Sequence, residues 1–83
     1  MEDRSLEKLK GAFVAVLHVD PSAEFSALRY AQAPGWDSVA HMALVAEIEG
    51  AFDIMLTTEE VIDLSSFPKA QEIAGKHGVR FDA

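Results

Sequence analysis

Asp37, Ser38 and His41 lie within four positions of one another and hold the residue types of an acid, a nucleophile and a base. A hydrolytic triad built from them fails on geometry. Asp37 and Ser38 are adjacent in the chain. Nothing supplies the separately placed oxyanion donors and substrate cleft that nucleophilic catalysis requires. His41 reads as an exposed residue one turn into a helix. The carboxylates offer a second chemistry, a metal site. Glu47 and Glu49 point to different faces of a helix, however, and no calcium-loop spacing occurs. They read as a solvated acidic face, and no metal is expected.

Ser38 keeps two readings. A serine after an aspartate at a helix start is most often an N-cap. The same position also suits a phosphoester, because a helix N-terminus offers free N–H donors and the positive end of the dipole. Trp36, Val39 and Met42 either form an apolar contact patch around it or pack partly against the preceding loop.

Composition removes other chemistries. The chain has no cysteine, so disulfides, zinc fingers and thiolate catalysis are excluded. Eighty-three residues allow one domain, residues 1–83, and an apolar content of 49% argues against disorder. No stretch reaches the roughly 20 apolar residues of a membrane span. The mixed-charge start MEDRSLEKLK is unlike a signal peptide, so a cytoplasmic protein is expected; a monomer is a separate expectation.

The net charge of −7 is segregated. No Lys or Arg lies between Arg29 and Lys69, an interval that holds Asp37, Glu47, Glu49, Asp53, Glu59, Glu60 and Asp63. Outside it, seven acids balance seven bases. Such a field repels nucleic acid and anionic lipid and attracts basic protein surfaces.

Helices must position these groups. Leu6, Leu9, Phe13, Val16 and Leu17 predict a first helix over residues 4–18, with Asp3 as its cap and Asp20-Pro21 as its stop. Residues 19–36 read as a long loop pinned by Phe25, Leu28 and Tyr30, and ending in a type II turn at Ala33-Pro34-Gly35-Trp36. A second helix is expected from Ser38 to about Ala51, capped by Asp37 or Ser38. Its core residues are Leu44, Val45, Ile48 and Phe52, and Gly50 lies near its end. Thr57 and Glu60 form a capping-box pattern for a short helix. A last helix begins after Ser65 or Ser66, carries Pro68 in its first turn, and buries Phe67, Ala70, Ile73 and Ala74 before Gly75 and Gly78 close it. The tail VRFDA reads as loose. The expected fold is all-α, three main helices and one short one, with a long loop between the first two.

With this frame in place, GWDSVAHMALVAEIEGAFDI resembles the Gly-x-Asp-Ser-(Leu/Val) signature and second helix of acyl carrier proteins. The likeness runs through essentially the whole chain, with Tyr30 as the loop's anchoring aromatic and TTEEV and SSFPKAQEIA as the third and fourth helices. It implies that Ser38 carries 4′-phosphopantetheine, transferred from coenzyme A by a Mg²⁺-dependent phosphopantetheinyl transferase. Asp37 would assist that transfer, and Gly35 is the motif glycine. The resemblance further implies a carrier, not an enzyme, whose arm bears acyl thioesters. Trp36, Val39, Met42, Glu47, Glu49, Asp53, Glu59 and Glu60 would meet basic patches on acyl-loading, condensing or acyltransferase partners.

Departures from the pattern narrow the family. Ala40 and Ala43 stand where housekeeping fatty-acid carriers place acids, Pro34 stands where they place Leu, and Gly50 and Ala51 replace further acids; Glu49 survives. PGWDS followed by AHM resembles free-standing carriers of specialised polyketide, peptide or lipid pathways. A housekeeping carrier, and an unmodified helical interaction module of the same fold, remain the alternatives.

Overall fold

In the computed structural model, which describes residues 5–33 and 35–81, the all-helical expectation holds. The elements are α1 (Ser5–Leu17), a 3-10 turn at Phe25–Ala27, α2 (Ser38–Phe52), α3 (Thr58–Asp63) and α4 (Phe67–Lys76). Among the described residues there is no strand, only an isolated antiparallel bridge between Arg29 and Ser66. Arg4, and Asp3 as the expected cap of α1, lie outside the described residues.

Helical period places the core. Leu9, Ala12, Phe13 and Leu17 of α1 are buried against Leu44, Val45 and Ile48 of α2, and Phe67, Ala70, Ile73 and Ala74 of α4 close the third side. Leu6, Val16 and Phe52 sit half-buried at the margin. A chain of rings runs through this core. Phe25 packs on Phe67 at 5.2 Å between centroids, Phe67 on Phe13 at 5.0 Å, and Phe13 edge-on to Trp36 at 5.4 Å. Each such pair contributes about 0.5–1.5 kcal/mol beyond the area it buries.

Several ends differ from expectation. α1 stops at Leu17 because His18 turns left-handed, with φ 59°, three residues before Pro21. Asp20 instead closes a turn of its own, its carboxylate accepting from the Ser22 N–H and hydroxyl at 2.8 Å each. α2 is ended not by Gly50 but by Asp53, left-handed at φ 55°, whose N–H donates to the Glu49 carbonyl. Gly75 lies inside α4, and Gly78, at φ 92°, makes the exit. The tail is tied down as far as Phe81, whose ring meets Phe52 at 6.1 Å.

Phe25 is buried and Leu28 half-buried against the core, and Tyr30, 38% exposed, sets its ring against Trp36 and His41. The loop is also held by the Tyr30 N–H, which donates to the Ser65 carbonyl at 2.9 Å. No described helix is long and apolar enough to cross a membrane.

Candidate functional site

The chain reaches Ser38 through a tight turn. The Trp36 N–H donates to the Ala33 carbonyl at 3.2 Å, and Gly35 between them has φ 82°, the value a type II turn demands at its third residue. Pro34 lies outside the described residues. α2 then begins, and its N-cap is settled. The Asp37 carboxylate accepts from the Ala40 N–H at 2.9 Å, with Asp37 itself in extended backbone.

That assignment frees Ser38. As the first helical residue it is exposed, and among the described residues its hydroxyl makes no hydrogen bond. Asp37 takes the Ala40 and His41 N–H groups, and those of Ser38 and Val39 have no partner within the helix, so the hydroxyl sits beside uncommitted donors at the positive end of α2. An open hollow of about 360 Å³ adjoins it, lined by Tyr30, Ala31, Ala33, Gly35, Trp36 and Asp37 as well as Ser38. The hydroxyl therefore has space on one side and donors below. The exposed hydroxyl and the open hollow leave room for a group carried on Ser38.

Trp36 and His41 depart from expectation. Trp36 is 2% exposed, so it belongs to the core and not to a surface patch. His41 is half-buried, not exposed. Trp36 Nε1–H donates to His41 Nδ1 at 3.0 Å, and His41 Nε2 lies 2.8 Å from the Val61 carbonyl. An indole N–H can only donate, so Nδ1 must be the accepting nitrogen and the ring proton sits on Nε2, donated to Val61. The Tyr30 ring stands edge-on to His41 at 5.1 Å. His41 thereby connects the turn before Ser38 to α3, across 20 residues of sequence.

α3 needs such help. Six residues are too few for a self-supporting helix, and none of them is fully buried. Its start carries the expected capping box, with the Glu60 N–H on the Thr57 hydroxyl and the Thr57 N–H on the Glu60 carboxylate. Glu60 Oε1 also meets His77 Nε2 at 2.8 Å. That contact above all, then the Thr57 N–H, holds the Glu60 carboxyl below its ordinary value. The connection from α2 is fixed by Glu49, which accepts from the Leu56 N–H at 2.8 Å.

The residues expected to meet partners fall into three groups. Val39, 78% exposed, Met42, 56% exposed, and Glu47 line one strip of α2 that starts beside Ser38, and Asp53 and Glu59 are also exposed. The Glu49 and Glu60 carboxylates are half-buried and already engaged within the chain. Trp36 is interior. Two further apolar side chains not singled out in the sequence, Met55 and Ile62, are exposed near this strip's far end and on α3. Among the described residues no group of three or more His, Asp or Glu is placed to hold a metal ion. The sequence matches no protein-family model and no curated protein.

Proposed function

We propose that the chain is an acyl carrier protein, bearing 4′-phosphopantetheine on Ser38 and presenting acyl groups to enzymes of a specialised pathway. The single observation that supports this most is the division of labour at the mouth of α2. Asp37 performs the capping that would otherwise occupy the serine, and Ser38 is left exposed and unbonded beside the hollow.

In this reading Ser38 Oγ attacks the phosphorus of coenzyme A that carries the pantetheine. An O–P bond forms, the nucleotide phosphate leaves, and the hydroxyl proton passes to a base on the transferase. The Ser38 and Val39 N–H groups, which Asp37 leaves free, and the positive end of α2 would stabilise the resulting phosphodiester charge. Asp37 holds that turn in register through Ala40 and is exposed, available to a transferase-bound Mg²⁺. When bound, the arm supplies the thiol that this cysteine-free chain lacks.

Docking would use the α2 strip. Val39, Met42, Ala43, Ala46, Glu47 and Gly50 are exposed at helical spacing, so they share one face running away from Ser38. Few exposed bulky residues and a surrounding negative field favour fast, salt-sensitive encounters with basic partners and easy release. Ala43 lies on this strip where an acid is usual in housekeeping carriers, whereas Ala40 is half-buried. A partner that reads an acid at position 43 would bind this chain weakly, which favours a dedicated partner set.

The exposed Val39, Met42, Met55 and Ile62 also suit an interaction module that is never modified. Intact mass after incubation with coenzyme A and a broad-specificity transferase decides between the two. A gain of one phosphopantetheine unit, lost in Ser38→Ala, is expected. A folded chain that gains nothing overturns the carrier.

A further inference from the structure

The contacts of His41 carry a consequence for the turn that presents Ser38. Its two ring nitrogens have opposite roles: Nδ1 accepts from the Trp36 indole at 3.0 Å, and Nε2 donates to the Val61 carbonyl at 2.8 Å. Only the neutral, Nε2-protonated ring satisfies both. An added proton lands on Nδ1 and sets N–H against N–H at the Trp36 end. The Val61 end keeps its donor.

We propose that His41 is a proton-sensitive strut, and that its protonation loosens the turn before Ser38 while leaving α3 clamped. The groups around the imidazole bear this out. From the loop come the Tyr30 and Trp36 rings, at 5.1 and 6.1 Å between centroids. From α3 comes the Val61 carbonyl, with the neighbouring Glu60 carboxylate turned to His77 and Thr57. From α2 itself comes Asp37, whose carbonyl accepts the His41 N–H at 2.8 Å and whose carboxylate is taken by the Ala40 N–H. None of the contacts made by these carboxylates replaces the acceptor that the indole loses on protonation.

α3 meanwhile responds in the opposite sense. A protonated His77 binds the Glu60 carboxylate as a charge-assisted pair, so a proton on this second imidazole holds α3 more firmly. The buried Trp36 indole N–H is the group left without a partner. Trp36 sits between Gly35 and Asp37, so its displacement moves the turn and cap that aim Ser38.

Trp36 is the only tryptophan, so its indole N–H gives one assignable resonance. The experiment uses the unmodified chain and stands whether or not Ser38 is ever modified. Proton and nitrogen spectra are followed from about pH 8 to about pH 5, where imidazoles change charge. The expected result is an upfield move of the Trp36 Nε1–H resonance with the same midpoint as the His41 ring, while the α3 amides keep their protection from hydrogen exchange. In His41→Gln, whose amide can accept and donate but does not titrate, the indole resonance should be flat with pH; His18→Gln and His77→Gln should keep the wild-type response. The wild-type His41 ring nitrogens give an independent reading, with Nδ1 unprotonated at about pH 8. An Nδ1–H tautomer, an indole resonance that ignores His41 titration, or a response that persists in a folded His41→Gln overturns the proposal.

Discussion

Ser38→Ala should leave the fold as stable as the parent, whereas Asp37→Ala should not. The hydroxyl of Ser38 engages nothing among the described residues, so its removal breaks no contact. Ala exceeds Ser as a helix former by at most about 0.5 kcal/mol, which tips the change toward neutral or slightly stabilising. Asp37→Ala deletes the acceptor at 2.9 Å from the Ala40 N–H, a loss of about 1 kcal/mol for an N-cap. It also removes the negative charge nearest the α2 N-terminus, worth roughly 0.3–1 kcal/mol at an exposed site. No acidic residue in the first turn of α2 can substitute for it. For a domain of this length each kcal/mol moves Tm by roughly 4–8 °C, so Asp37→Ala should melt roughly 5–15 °C lower. Far-ultraviolet circular dichroism, by heat and by urea, reads both variants. Asp37→Asn keeps a capping oxygen and should fall between parent and Asp37→Ala. Once Asp37 is gone the serine can cap a helix shortened by one residue, so the double variant should lose more than the two single losses summed. A Ser38→Ala variant as destabilised as Asp37→Ala would refute the division of roles, because it would make Ser38 the cap.

Three further outcomes follow from neighbouring contacts. Gly35→Ala places a side chain at φ 82°, and should cost about 1–2 kcal/mol by urea denaturation even though the added carbon meets only the Leu17 carbonyl at an ordinary 3.7 Å. Glu49→Ala leaves the Leu56 N–H without its acceptor, and should lower stability by about 1 kcal/mol and speed hydrogen exchange in the α2–α3 connection before the core is affected. The lowered Glu60 pKa means that its ionised form stabilises the fold above the ordinary carboxylate range and ceases to as pH falls through its depressed folded value. The stability gap between parent and Glu60→Gln should therefore be open at neutral pH and close in acid; a gap that stays constant down to about pH 3, well below the ordinary glutamate value, contradicts the assignment.

What could be read from the residues alone was what depends on near neighbours. The Thr57–Glu60 capping box, a cap at Asp37 or Ser38, and the burial of Phe67, Ala70, Ile73 and Ala74 all arise within one or two turns of chain; the structure has each of them and gives the cap to Asp37. Contacts between side chains and distant backbone have no period and leave no such trace. His41 reaches Val61 20 positions away, Glu60 and His77 are 17 apart, and Glu49 reaches Leu56 seven on. The sequence accordingly misplaced His41, expected to be exposed, and Glu49, expected on a solvated acidic face; both are half-buried and engaged. Trp36 was ambiguous for a related reason. Its burial depends on Phe13, which approaches from another helix. Polar side chains beside a predicted turn, with a tryptophan donor a few residues away, are the signal that could have marked His41 as structural. The left-handed His18 and Asp53 carried only a weak signal, since His and Asp favour that conformation more than most side chains but far less than glycine.

The absence of a fully buried residue in α3 bears on how such a chain can change over time. Thr58, Glu59, Ile62 and Asp63 are exposed, and substitutions at sites of that kind usually shift stability by less than about 0.5 kcal/mol. The helix is instead fastened by Thr57, Glu60, His41 and His77, through bonds that ask nothing of those four positions. Fold and surface are thus written on separate residues. A lineage could rewrite the outer face of α3 and acquire a new docking partner while the helix remained seated and the aromatic core untouched.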